Sequence, residues 1–202
     1  MPPQLPENTL ISIDIETRDD GLKDYGPGVR RGSYIIGIAV AYADGVGRIH
    51  SWYLPFNHET GFNHDESAVK QWCKDNLCRP NQPKTGANLM YDLDFLWHWG
   101  VRVTGPFYDI QVAEPLLDET RKSYSLNNIA KTYLDEEKTD EGLLDWVRNN
   151  IGGRIKDPYS YIWRVPSEII EGYAKGDVEL PLRVFDIQKQ ELKRKNLLNQ
   201  QV

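Results

Sequence analysis

An α/β fold with a mixed central β-sheet flanked by α-helices is what this sequence predicts, on three observations. Segments with strand character crowd the start of the chain, at residues 10–16, 34–42 and 48–54. From residue 65 onward, segments of helical length dominate. Between two of those, residues 84–88 (KTGAN) form a short link suited to one more strand. Strands first, then a mixed strand-and-helix half, make a layered α/β arrangement. The chain has 202 residues, within the span of about 100–200 usual for one domain.

Each element has its own warrant. In residues 10–16 (LISIDIE) isoleucines alternate with polar residues, the period of a strand with one buried face. Asp19, Asp20, Gly21 and the Gly26-Pro27-Gly28 triplet read as a loop. Residues 34–42 (YIIGIAVAY) are almost continuously apolar, as in a strand buried on both faces. The turn Ala43-Asp44-Gly45 then joins that strand to the next as a hairpin. Residues 65–78, 91–99, 108–117 and 126–134 fit helices, the last with Ser125 as its N-cap. Residues 150–160 read as a loop. Pro166-Ser167-Glu168 opens a long helix, expected to break or kink near Pro181, because proline lacks an N–H and its ring crowds the preceding turn. In outline, residues 1–8 are a leader, 9–190 the domain, and 191–202 a basic helical tail that looks like a connection to further chain.

Composition narrows the function. With 24 Lys and Arg against 30 Asp and Glu, the formal charge is −6. That argues against a broad basic face for nucleic acid, but not against an enzyme that meets phosphates through bound cations, which bring their own charge. No segment approaches the ~20 apolar residues of a membrane helix, and the first residues lack the pattern of a signal peptide. The expectation is a cytoplasmic protein with no membrane partner. Cys73 and Cys78 are the two cysteines, so no disulfide framework is expected. His58 and His64 bracket a loop but lack a third spaced ligand for zinc. The acidic run 135–137 reads as solvated.

Three spacings carry chemistry. On a strand, Asp14 and Glu16 share a face. Adjacent buried anions repel each other, and a hard divalent cation is their natural compensation. Asn88 and Asp92 lie four apart at the start of a helix and share a face. Tyr173 and Asp177 are likewise four apart on the long helix, with Gly172 and Gly176 leaving room for close approach. Singly, each has a plainer meaning: a solvated strand end, a helix-terminal charge, a core ring.

Taken in order, D-x-E, N-x-x-x-D and Y-x-x-x-D resemble the three exonuclease motifs of the DEDD superfamily, in its tyrosine-bearing branch. The segments DIET, TGANLMYDLDFL, SLNNIAKTYL and YAKGDVELPL are similar to the proofreading 3′–5′ exonuclease domain of family A DNA polymerases, and the loop wording looks like the bacteriophage members. This resemblance implies a ribonuclease H-like fold and phosphodiester hydrolysis that releases nucleoside 5′-monophosphates from the 3′ end of DNA. It implies two divalent metal ions, Mg²⁺ or Mn²⁺, held by Asp14, Glu16, Asp92 and Asp177. Tyr173 would complete the catalytic set by orienting the attacking water. Thr17, Leu22, Asn88 and Tyr91 would meet the terminal nucleotide. The partners implied are a single-stranded or frayed 3′ end and a polymerase domain. The same motifs also serve RNA-trimming exonucleases of the ribonuclease D type. A non-catalytic nucleic-acid-binding domain is a third reading, against which the intact carboxylate set stands.

Overall fold

Isoleucine at every second position fixes which way the central strand faces. In a computed structural model, which describes residues 2–197, this strand is β1 (Ile11–Arg18). It lies in one sheet with β2 (Tyr34–Ala43), β3 (Ile49–Pro55), β4 (Lys84–Gly86) and β5 (Phe107–Asp109), in the order β3-β2-β1-β4-β5. The first three strands pair antiparallel, while β4 runs parallel to β1 and β5 parallel to β4. The sheet is therefore mixed, as expected.

Helices cover both faces. Ile11, Ile13 and Ile15 enter a core with α2 (Glu66–Leu77) and α3 (Leu89–His98), among them Val69, Trp72, Leu93 and Phe95. On the other face, Ile36, Ala39 and Ala41 pack with α6 (Glu141–Asn150) and the long α7 (Ser167–Arg194). The short α1 (Leu22–Tyr25), α4 (Ile110–Leu117) and α5 (Leu126–Leu134) complete the set. Ser125 caps α5 by accepting from the Asn128 N–H. No helix among the described residues is long and apolar enough to cross a membrane.

The structure departs from the sequence expectation in four places. Residues 108–117 are not one helix, because Phe107–Asp109 forms the edge strand β5 before α4 begins. Helix α6 arises where no element was expected, held by Leu143 and Val147, buried one turn apart. The loop reading of 150–160 gives way at its end to a 3₁₀ turn, Pro158–Arg164. Helix α7 runs unbroken through Pro181, which is buried. Proline there forfeits one hydrogen bond, to the Asp177 carbonyl. Packing on both sides of it, by Val178, Leu182 and Val184, holds the helix in place.

At the chain start, the expected leader lies along α2. The backbone N–H of Leu5, a buried residue, donates to Asn76 Oδ1 at 2.8 Å, and Arg79 reaches the Leu5 carbonyl. The basic stretch from residue 191 continues α7 as far as Arg194, and residues 198–202 of the expected tail lie outside the described residues.

Candidate active site

Small residues make the site possible. On β2, Ala41, Ala39 and Gly37 stand opposite Ser12, Asp14 and Glu16 of β1. This shallow strip admits α7, whose Ile170, Ala174, Val178 and Leu182 form a stripe at four-residue spacing in the core below it. The neighbouring stripe of α7 carries Tyr173 and Asp177. As a result Asp14, Glu16 and Asp177 each bring a carboxylate oxygen within 4.8 Å of the others. Strand pairing shifts between Glu16 and Thr17, a β-bulge at which Ile36 drops out of register. The Ile36 carbonyl, on the β3 side, accepts from the Phe56 and Asn57 N–H groups. Bulges of this kind re-aim side chains at sheet edges and sites.

Asp92 arrives from the first turn of α3 and is buried. Asn88 precedes that turn with φ at +64°, a left-handed conformation that asparagine tolerates. Its backbone N–H and that of Leu89 donate to the Asp109 carboxylate at 3.2 and 2.7 Å. The same carboxylate caps α4 through Gln111 N–H at 2.8 Å. Asp109 thus anchors the turn that presents Asn88 and Asp92, a role the sequence did not suggest.

The pair Tyr53 and His58 lies edge to face beneath the β1–β2 strip. The Tyr53 ring lies over Gly37, where a Cβ would overlap it. His58 Nδ1 is 2.9 Å from the Val165 carbonyl, which can only accept, so Nδ1 carries the proton. Nε2 then accepts from the Tyr53 hydroxyl at 2.6 Å. Burial pushes the His58 pKa down to about 4.

Electrostatics set these carboxylates apart from ordinary surface acids. Burial first, then repulsion from Asp92, Asp177 and Glu16, holds Asp14 well above the usual carboxylate range. Glu16 is raised to about 8, by burial and by Asp177. Asp92 is raised by burial and by Asp109, and Asp177 by burial. Glu16 Oε1 and Asp92 Oδ2 are buried without any hydrogen-bond partner. Among the described residues Lys138 is the cation that contacts these acids: its Nζ lies 2.7 Å from both Asp177 oxygens and 3.8 Å from the centre of the Tyr173 ring. Oxygen-only ligands, unmatched negative charge and orphaned acceptors are what a hard divalent cation requires. These residues fit the metal ions that the motif order implies.

Asp14, Glu16, Thr17, Leu22, Asn88, Tyr91, Asp92, Tyr173 and Asp177 all line one cleft of about 1080 Å³. Tyr91 donates to Asp19 at 3.3 Å and accepts from Thr17 at 2.7 Å, which ties the strand end to the loop leading into α1 and Leu22. Leu22 is exposed at the lip. The two lips meet through Lys23 and Asp157, 2.9 Å apart. Sequence reasoning missed Lys138, Arg154, Lys156 and Tyr159, which also line the cleft.

Comparison with known proteins identifies the family. A family model described as 3′-5′ exonuclease, for the exonuclease domain of A-type DNA polymerases, matches residues 32–193. A DNA-directed DNA polymerase of Pseudomonas phage M6 is 37% identical over 191 residues, which is 93% of this chain and 28% of the relative. The DNA polymerase DpoZ of Salmonella phage PMBT28 is 28% identical over 198 residues, 96% of this chain and again 28% of the relative. The chain thus spans about a quarter of the length of the curated relatives it matches. Among solved structures, Brucella melitensis NrnC superposes with a TM-score of 0.63 at 17% identity, covering 95% of this chain and 78% of that one. Escherichia coli RNase D gives 0.53 at 15% identity, covering 94% and 41%. These likenesses show the fold alone, a ribonuclease H-like one. With its matched segment spanning most of the sequence, the chain belongs to the 3′–5′ exonuclease domain family of A-type DNA polymerases.

Proposed function

We propose that this domain trims the 3′ end of DNA one nucleoside 5′-monophosphate at a time, as the proofreading part of a phage DNA polymerase. The observation that carries this is the convergence of Asp14, Glu16 and Asp177, with Asp92 and Tyr173, in one cleft. Asp14, Glu16 and Asp177 would hold one divalent ion, and Asp14 with Asp92 a second. Such ions lower the pKa of water and offset charge at phosphorus and at the leaving oxygen. Tyr173 is held far above its ordinary pKa by burial and by Glu16 and Asp177. Its hydroxyl therefore stays protonated and orients the attacking water rather than deprotonating it.

Asn88 offers a neutral donor to a phosphate or sugar at the exposed start of α3. Leu22 and Tyr91 form an apolar wall for the last base, which favours frayed ends because they are already unstacked. Residues 9–190 would form the exonuclease domain and 191–202 lead toward the polymerase, acting in the cytoplasm of the infected host. The test compares DNA and RNA of one sequence, each with a matched or a mismatched 3′ terminus on a template. Faster loss of the mismatched DNA end supports proofreading, and faster trimming of RNA overturns it.

A further inference from the structure

Lys138 stands on the same carboxylate that closes the Asp14, Glu16 and Asp177 cluster. Its ammonium is equidistant from both oxygens of Asp177, at 2.7 Å, and lies against the face of Tyr173. The side chain is only 14% exposed. It comes from the loop joining α5 to α6, and no other element supplies a cation to these acids among the described residues. Gly176 faces the loop at this point: a Cβ there would lie 3.5 Å from Lys138 Cβ, an ordinary contact. The loop itself is tied to α7 a turn and a half further on, where Arg183 grips Glu136 through two hydrogen bonds at 2.5 and 2.7 Å.

We propose that Lys138 is a resident counterion of the carboxylate cluster, which a divalent ion must displace from Asp177 in order to bind. The proposal rests on the metal-dependent reading of the cleft. A carboxylate offers roughly four lone-pair sites, and here an ammonium centred between both oxygens takes the inner site of each. Metal and ammonium therefore compete for one ligand. The gain to the metal-free protein is relief of like-charge repulsion among buried acids. The cost falls on metal affinity. A displaced ammonium remains within the cleft, next to the Tyr173 ring.

The experiment is Mn²⁺ titration by calorimetry on the full 202-residue chain and on Lys138→Met, with melting temperatures recorded with and without metal. The expected result is Mn²⁺ binding at least about tenfold tighter in the variant, the equivalent of roughly 1.4 kcal/mol. The metal-free variant should also melt lower than wild type, with the difference narrowing on saturation. A second readout needs no substitution: lysine acetylation followed by mass spectrometry should show Lys138 protected in EDTA and reactive in Mn²⁺. Equal or weaker Mn²⁺ affinity in the variant, or a Lys138 equally reactive in both conditions, overturns the proposal. If wild type binds no Mn²⁺ at all, the metal-dependent reading falls as well, a result distinct from unchanged affinity.

Discussion

Acid should weaken this fold through His58 in a way that can be worked out in advance. The imidazole is 6% exposed, donates from Nδ1 to the Val165 carbonyl and accepts at Nε2 from Tyr53. Burial drives its pKa from 6.5 to about 4, against the smaller opposing pull of the Val165 carbonyl and Glu168. Between those values the unfolded chain binds a proton that the folded protein refuses. Stability from this group is therefore complete above pH 6.5 and is lost as pH falls toward 4. A shift of that size corresponds to roughly 3 kcal/mol in full, of which about 2 kcal/mol is lost between pH 7 and pH 5. For a domain of this length, that is about 4–8 °C in Tm. The assay is thermal unfolding of wild type and His58→Gln at pH 7, 6 and 5 in EDTA. The wild-type Tm should fall relative to the variant by that amount, because other titrating groups act on both. Parallel curves would show that His58 is charged in the folded protein and that the Tyr53–His58–Val165 chain is wrongly assigned.

Other consequences are as concrete. Metal binding to the carboxylate cluster should raise Tm by about 5–10 °C at a hundred times Kd, from about 2.7 kcal/mol of linkage. Differential scanning fluorimetry with Mg²⁺ or Mn²⁺ checks this, and Asp14→Ala should abolish the shift. Tyr173→Phe should lower kcat on single-stranded DNA by about 10²-fold or more while keeping the metal-induced shift, as measured by parallel kinetics and melting. Gly86→Ala should cost about 1–3 kcal/mol in a urea melt, because its Cβ would meet the Ile13 carbonyl at 2.7 Å and Leu89 at 2.6 Å.

Much of this was legible in the sequence for physical reasons. Period-two isoleucines gave β1 its faces, so the pairing of Asp14 with Glu16 followed from strand geometry alone. Four-residue spacing did the same for Asn88 with Asp92 and for Tyr173 with Asp177. The missed elements lacked such a signal. Strand β5 is three residues long and runs directly into α4, so its pattern merges with the helix. Helix α6 shows its buried face through Leu143 and Val147, but polar residues and the acidic run before it mask that spacing. Lys138 lies within DEEKTDE, which looks solvated in one dimension. Only the return of that loop over α7 puts it against Asp177. The Asp109 anchor likewise needs β5 beside β4, a pairing that no local pattern announces.

The central claim is that these carboxylates support hydrolysis from a 3′ end. The direct measurement follows a 5′-labelled single-stranded DNA with Mg²⁺, with EDTA, and with Mg²⁺ and the Asp14→Ala variant. The expected result is a ladder shortening from the 3′ end with Mg²⁺ alone, lost in EDTA and in the variant, with 5′-monophosphates as product. Shortening that persists in EDTA or in Asp14→Ala, or an intact substrate under all three conditions, would contradict it.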